Sequence, residues 1–197
     1  MQPVFRCFII PGGAQQVGSY DILLRALIAH NIEPVPIDIA WITAYSSAGE
    51  RQSFVRYVNE ARRQIESARP TPNDIVIGFS YGGIIALILK EFSFMRGFIC
   101  STPEIRSDIL QKIYDRKTKV PINWSELRGI AFDELCHSRR LSIFVSSNEA
   151  EPYKHFAQQL ARYNDTQVIE FNGAEHKTFD ALYVATIIAH MEFLKLI

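Results

Sequence analysis

The sequence predicts a three-layer α/β fold, with a mainly parallel sheet of about six strands, helices on both faces and a short helical insertion. Three observations predict it. Short apolar runs alternate with longer stretches of helical spacing. The runs are apolar at nearly every position, as strands covered on both faces must be. Glycine, proline, asparagine and serine clusters separate the two kinds of segment.

Each element follows from its residues. Residues 5–10 form an apolar run that ends at Pro11-Gly12-Gly13, the pattern of a strand running into a glycine loop. Ser19-Tyr20-Asp21 opens a helix with Ile22, Leu23, Ala26 and Leu27 at helical spacing, ending near Asn31. Residues 32–39 read as a strand that Pro34 and Pro36 consign to a sheet edge, where a missing N–H does least harm. After a polar and aromatic loop, residues 50–68 read as helix, and Pro70 to Asn73 break it before a strand at 74–79. A helix at 84–91 and a strand at 96–100 follow.

Residues 101–140 interrupt the alternation with charges, Pro121 and short amphipathic pieces, an insertion within one domain of 1–197. Strand, helix, strand and helix then resume at 141–146, 152–163, 166–171 and 178–196. Right-handed crossovers put the first three strands in the order second, first, third, with three more added outward. In such sheets the functional crevice lies beyond the C-terminal strand ends.

Composition narrows the function. Lys plus Arg and Asp plus Glu each number 21, and there is no basic stripe, so nothing draws the chain toward nucleic acid. No stretch approaches the ~18 apolar residues of a membrane span. Met1 to Arg6 lacks the features of a signal peptide, and three scattered cysteines without a C-x-x-C pair give neither a disulfide framework nor a zinc site. A cytoplasmic protein without metal or cofactor is expected.

The most informative residues are Gly78-Phe79-Ser80-Tyr81-Gly82-Gly83, a G-x-S-x-G string between a buried strand and a helix. A strand turning that sharply into a helix holds its central residue in a strained conformation and lifts it above the sheet edge. The following helix aims its first amides at whatever Ser80 attacks. A serine hydroxyl needs a base to act as a nucleophile. Of five histidines, His30 ends a helix, His155 and His190 lie within helices, and His137 falls in the insertion. His176 lies in Asn172-Gly173-Ala174-Glu175-His176, a loop after the sixth strand on the same sheet edge as Ser80. It is the candidate general base and acid.

With the elbow, the late glycine-bearing histidine loop and the order Ser, acid, His, the chain resembles the α/β-hydrolase superfamily from Phe5 to its last helix. It looks like a compact serine hydrolase lacking the family's first two strands. The resemblance implies a triad acid after the strand at 141–146, usually Asp. Here the turn is Ser146-Ser147-Asn148-Glu149-Ala150-Glu151-Pro152, without Asp. Ala157-Gln158-Gln159-Leu160-Ala161 is similar to the family's A-x-x-L-A signature, and the family spacing back from it falls on Glu149. Glu151 is the second choice; both glutamates also suit the N-terminus of the next helix. Asn148 can hold a histidine but has no charge to stabilise imidazolium.

The resemblance also implies an oxyanion hole from the amides of Tyr81, next to the nucleophile, and Gly13, with Ala14 behind it. Pro11 stands where the family commonly has histidine. The loop lacks G-x-G-x-x-G and a P-loop lysine, which argues against phosphate cradling. Apolar residues of the 41–47 loop and of the insertion, such as Ile109, Tyr114 and Trp124, suit either an acyl pocket or the insertion's own core. The expectation is a hydrolase of a small-molecule acyl ester or thioester. An acyltransferase with the same triad, or a non-catalytic binding module on the scaffold, remains as an alternative.

Overall fold

A computed structural model describes residues 5–13, 20–39, 52–104, 122–123, 126, 140–173 and 180–197. The elements run β1 (Phe5–Ile10), α1 (Asp21–Ala29), β2 (Ile32–Pro36), β3 (Gln52–Ser53), α2 (Phe54–Ser67), β4 (Ile75–Phe79) and α3 (Tyr81–Ile88). A 3-10 turn at Lys90–Phe92 leads to β5 (Arg96–Cys100), β6 (Ile122–Asn123), β7 (Leu141–Ser146), α4 (Glu151–Tyr163), β8 (Val168–Phe171) and α5 (Ala181–Phe193). Six strands form one sheet in the order β2-β1-β4-β5-β7-β8. Every pairing in it is parallel. This is the expected order, with β2 on the edge where its two prolines sit.

Alternation along each strand sends side chains to two separate cores. Phe8 and Ile10 of β1, Val76 of β4, Ile99 of β5 and Ile143 and Val145 of β7 point to one face. There they meet Phe54, Tyr57, Ile84, Ile85, Phe156 and Leu160 of α2, α3 and α4. Cys7 and Ile9, Ile75, Ile77 and Phe79, Phe98 and Cys100, and Phe144 point to the other. Leu23 and Leu27 of α1 and Tyr183, Val184, Ile187 and Met191 of α5 cover them. Each fully buried aliphatic or aromatic side chain contributes about 1.5–3 kcal/mol, so both helical layers are held mainly by apolar burial.

Several boundaries differ from the sequence reading. β2 stops at Pro36, although Ile37 N–H still reaches Ile9 O at 2.9 Å. α2 starts at Phe54, because Gln52 and Ser53 pair in parallel with β6, a two-residue ladder too short to leave a pattern. α3 begins at Tyr81, so Gly82 and Gly83 are helical rather than loop. β8 is shorter than expected at its start, and α5 at both ends. Of the expected insertion at 101–140, residues 101–104, 122–123, 126 and 140 are described. Among them Glu126 accepts from Ser53 Oγ (2.9 Å) and Val55 N–H (3.2 Å), an acidic cap supplied across the chain to the start of α2. Among the described residues, no helix is long and apolar enough to cross a membrane.

The N-terminal strand ends are tied by Asp74 and Arg6. Asp74 is buried and accepts from Arg6 N–H (3.2 Å), Arg6 Nε (3.2 Å), Arg6 Nη2 (2.6 Å) and Thr71 N–H (2.6 Å). Arg6 Nη1 donates to Ala68 O at 2.6 Å, fastening the end of α2 to β1. Burial pushes the Asp74 carboxyl up, but the bonds from Arg6 and Thr71 and the Arg6 charge outweigh it and hold it below its ordinary value. A carboxyl depressed in the folded state adds stability that is complete above the unfolded value, about 4, and is lost as pH falls through the folded one. Asp74→Asn is therefore expected to cost roughly 1.5–3 kcal/mol at pH 7 and to flatten the acid limb of stability below about pH 4. Urea unfolding at a series of pH values measures both; an unchanged acid limb would assign the acid sensitivity elsewhere.

Candidate active site

β4 ends at Phe79, α3 starts at Tyr81, and Ser80 is the single residue between them. Its φ of 53° and ψ of −120° put a non-glycine residue in the left-handed half of backbone space. Such a conformation costs on the order of 1–3 kcal/mol and persists only where the surroundings enforce it. Two bonds do so: Ser80 N–H donates to Cys100 O (2.9 Å), and Gly83 N–H to Ser80 O (3.0 Å). Gly82 supplies the third constraint by its lack of a side chain. A Cβ there would strike the Ile10 carbonyl and lie 2.7 Å from Pro11 O. The elbow therefore presses directly on the end of β1 and the loop that follows.

That loop is Pro11-Gly12-Gly13. Gly12 N–H donates to the buried Tyr20 hydroxyl at 2.9 Å, which fixes the peptide before Gly13. A Cβ on Gly13 would overlap the Tyr81 ring, so Gly13 packs against the residue that follows Ser80. Tyr81 and Gly13, the two expected oxyanion donors, are thus brought together at one end of the sheet; Ala14 lies outside the described residues.

The turn after β7 separates the two candidate acids. Glu149 is only 5% exposed. The Glu151 side chain is 87% exposed and stands 3.8 Å from Lys154 Nζ at the start of α4. Asn148 does not turn its amide to a histidine among the described residues. Its Nδ2 donates to Gly173 O at 2.7 Å, and Ser146 Oγ donates to the same carbonyl at 2.9 Å. Ser147 N–H donates to Phe171 O (2.9 Å) and its hydroxyl to Asn172 Oδ1 (2.8 Å). The Glu149 turn and the residues leading to 174–179 are therefore one hydrogen-bonded unit.

His176 and His137 lie outside the described residues. The three other histidines are away from the elbow. His30 ends α1, at the opposite sheet edge, and His155 is exposed on α4 beside Gln159. His190 stands 2.9 Å from Ser142 Oγ near the start of β7 and packs on the rings of Phe98, Phe144 and Phe193. Burial and then the Arg96 charge lower its pKa, keeping that imidazole neutral.

Cys7 and Cys100 are buried thiols, pushed up by burial and hence held protonated. Among the described residues, no group of three or more His, Cys, Asp or Glu is placed to hold a metal ion. The loop at 41–47 and the apolar residues expected as an acyl pocket also lie outside the described residues.

Sequence reading missed Tyr20, Ser146 and the role of Asn148 in holding these loops. The available signal for Tyr20 was an aromatic residue with a polar tip at a helix start, which when buried needs a partner.

No protein-family model matches the chain, and no curated protein matches it by sequence. Solved structures do match over its full length. Est1E from Butyrivibrio proteoclasticus superposes with a TM-score of 0.75 at 10% identity, covering 100% of this chain and 89% of that one. MGS-MChE2, an alpha/beta hydrolase enzyme from the metagenome of sediments from the lagoon of Mar Chica, Morocco, gives 0.73 at 16% identity over 98% and 91%. The ydeN gene product of B. subtilis gives 0.69 at 13% identity, with 98% of each chain covered.

Proposed function

We propose that this chain, which has the α/β-hydrolase fold, is a serine hydrolase that cleaves a carboxylic ester or thioester through an acyl-enzyme. The observation that carries this reading is Ser80 at φ 53° and ψ −120°, alone between β4 and α3. Strain of that kind, on a serine that is itself 5% exposed at the C-terminal edge of a parallel sheet, is the backbone geometry of a nucleophile elbow.

In the proposed reaction Ser80 Oγ attacks the substrate carbonyl while His176 takes its proton. Negative charge gathers on the carbonyl oxygen between the amides of Tyr81 and Gly13. His176 then protonates the departing alcohol or thiol. Water, deprotonated by His176, attacks the acyl-Ser80 ester, and collapse frees the carboxylic acid and restores the serine. Glu149 accepts from the other imidazole nitrogen and stabilises the imidazolium. Its burial supports this role, since a carboxylate kept from water needs a donor or a positive charge beside it. His176 also follows Gly173, the residue pinned to the Glu149 turn, by only three positions, a reach of about 10 Å.

A fluorophosphonate probe with peptide mapping tests the nucleophile, and a panel of p-nitrophenyl esters and acyl-thioesters of graded chain length tests the substrate class. The expected label is on Ser80, and the expected products are free acid and alcohol or thiol. Label on another residue, or acyl transfer to an added alcohol in preference to water, would overturn the reading.

Glu149→Gln keeps shape and a hydrogen-bonding amide but removes the charge. It is expected to lower kcat by on the order of 10²–10⁴ with little change in KM. Glu151→Gln is expected to leave kcat near the parent and to cost about 0.3–1 kcal/mol of stability at the start of α4. The reverse pattern would move the acid to Glu151.

A further inference from the structure

Tyr183 lies in the first turn of α5 and joins three strand ends. Its ring meets Phe171, the last residue of β8, edge-on with centroids 4.3 Å apart, and Phe79, the last of β4, at 5.9 Å. Its hydroxyl stands 3.1 Å from Ser101 Oγ, just beyond β5. Phe79 precedes Ser80, and Cys100, whose carbonyl holds the Ser80 N–H, precedes Ser101. Ser101 is itself buried at a positive φ of 40°, with its N–H donating to Phe144 O at 2.9 Å. At its other side Tyr183 N–H donates to Asp180 Oδ1 at 2.8 Å, which sets where α5 begins, immediately after 174–179.

Packing alone does not call for these hydroxyls. Phenylalanine and alanine would fill the same space without desolvating two polar groups, and buried hydroxyls are unfavourable unless they bond. Burial first, then Cys100 and more weakly Glu149, raises the Tyr183 phenol well above its ordinary value, so it stays a protonated donor.

We propose that Tyr183 and Ser101 are positioning residues of the Ser80 site: their bond fastens the start of α5, and so the downstream end of the segment carrying His176, to the strand ends that hold the elbow. The inference rests on the roles given above to Ser80 and His176. Gly173 pins the upstream end of that segment through Ser146 and Asn148, and Tyr183 pins the downstream end. On the proposed roles, loosening either end of that segment would shift the base relative to Ser80, and misplacement by about 1 Å can cost about 100-fold in rate.

The test uses the full chain with Tyr183→Phe, Ser101→Ala and the double variant, and with Ser142→Ala as control. Ser142→Ala removes a buried hydroxyl bond of similar length at the far end of β7. Fluorophosphonate labelling of Ser80 is followed from pH 5 to 9, with kcat and KM for a p-nitrophenyl ester. For Tyr183→Phe the expected results are a labelling plateau about 10–100-fold lower, KM changed by less than about twofold, and an acid limb moved to lower pH as His176 loses its alignment with Glu149. Ser101→Ala is expected to move the same readouts in the same direction, and the double variant to match Tyr183→Phe, which already removes the Ser101 bond. Ser142→Ala is expected to lose stability alone.

An unchanged plateau and acid limb in Tyr183→Phe, with Ser80 of the parent reactive, overturns the inference and leaves the hydrolase reading standing. If Tyr183→Phe does not fold, Ser101→Ala, which leaves the ring in place, decides on the same readouts. A parent whose Ser80 does not react overturns both together.

Discussion

Ser80→Ala is expected to abolish fluorophosphonate labelling and to bring ester turnover down to the residual rate that an oxyanion site and binding alone sustain, a loss on the order of 10³-fold or more. Only the hydroxyl oxygen is removed, and the backbone bonds that hold residue 80, to Cys100 O and from Gly83 N–H, remain. The fold is therefore expected to persist, by circular dichroism and by urea unfolding. A second variant separates chemistry from strain. Alanine at φ 53° is as strained as serine, whereas glycine reaches that region without a Cβ clash. Ser80→Gly should thus be as inactive as Ser80→Ala yet unfold at higher urea. Labelling that survives in Ser80→Ala would remove Ser80 from the mechanism. Equal stability of the two variants would show that the elbow carries little strain.

The sheet was legible because its signals are local. Residues 5–10, 96–100 and 141–146 are apolar runs bounded by turn residues, and β1, β5 and β7 occupy those positions. Pro34 and Pro36 mark β2 as an edge strand, and β2 ends the six-stranded sheet. What escaped was set by contacts between distant segments. Gly82 and Gly83 read as loop because glycine disfavours helices. They lie in the helix all the same, and glycine is required there because a side chain at Gly82 would strike β1 and one at Gly83 would strike Thr102.

The Ser80 elbow could be read from six consecutive residues, whereas the difference between a buried Glu149 and an exposed Glu151 could not, since both glutamates follow β7 in the same short turn. The partners of the Tyr20, Ser101 and Tyr183 hydroxyls could not be read, since each is a residue whose place depends on the fold. Asn148 shows the same limit. Its amide suits a histidine or a carbonyl equally well, and only the course of β8 brings Gly173 O within 2.7 Å of it.

His176→Ala is expected to slow acylation of Ser80 by about 10³-fold or more, because the members of a triad act as a unit and His176 is the base proposed for the serine. The three histidines among the described residues provide the contrast. His155→Ala changes an exposed residue of α4, and His30→Ala one at the end of α1 on the far sheet edge, so both should keep parental turnover. His190→Ala removes a ring packed on Phe98 and Phe144 and bonded to Ser142 Oγ, so its expected cost falls on stability, with kcat unchanged. The pH profile adds a reading that stability cannot imitate. In the parent, labelling should decline at low pH as the imidazole takes up a proton and can no longer accept one from Ser80. His176→Ala should be slow and nearly flat across the same range, while His190→Ala keeps the decline at its parental position. An acid limb retained in His176→Ala, or lost in His155→Ala, would place the base at another residue and leave Ser80 without the partner assigned to it.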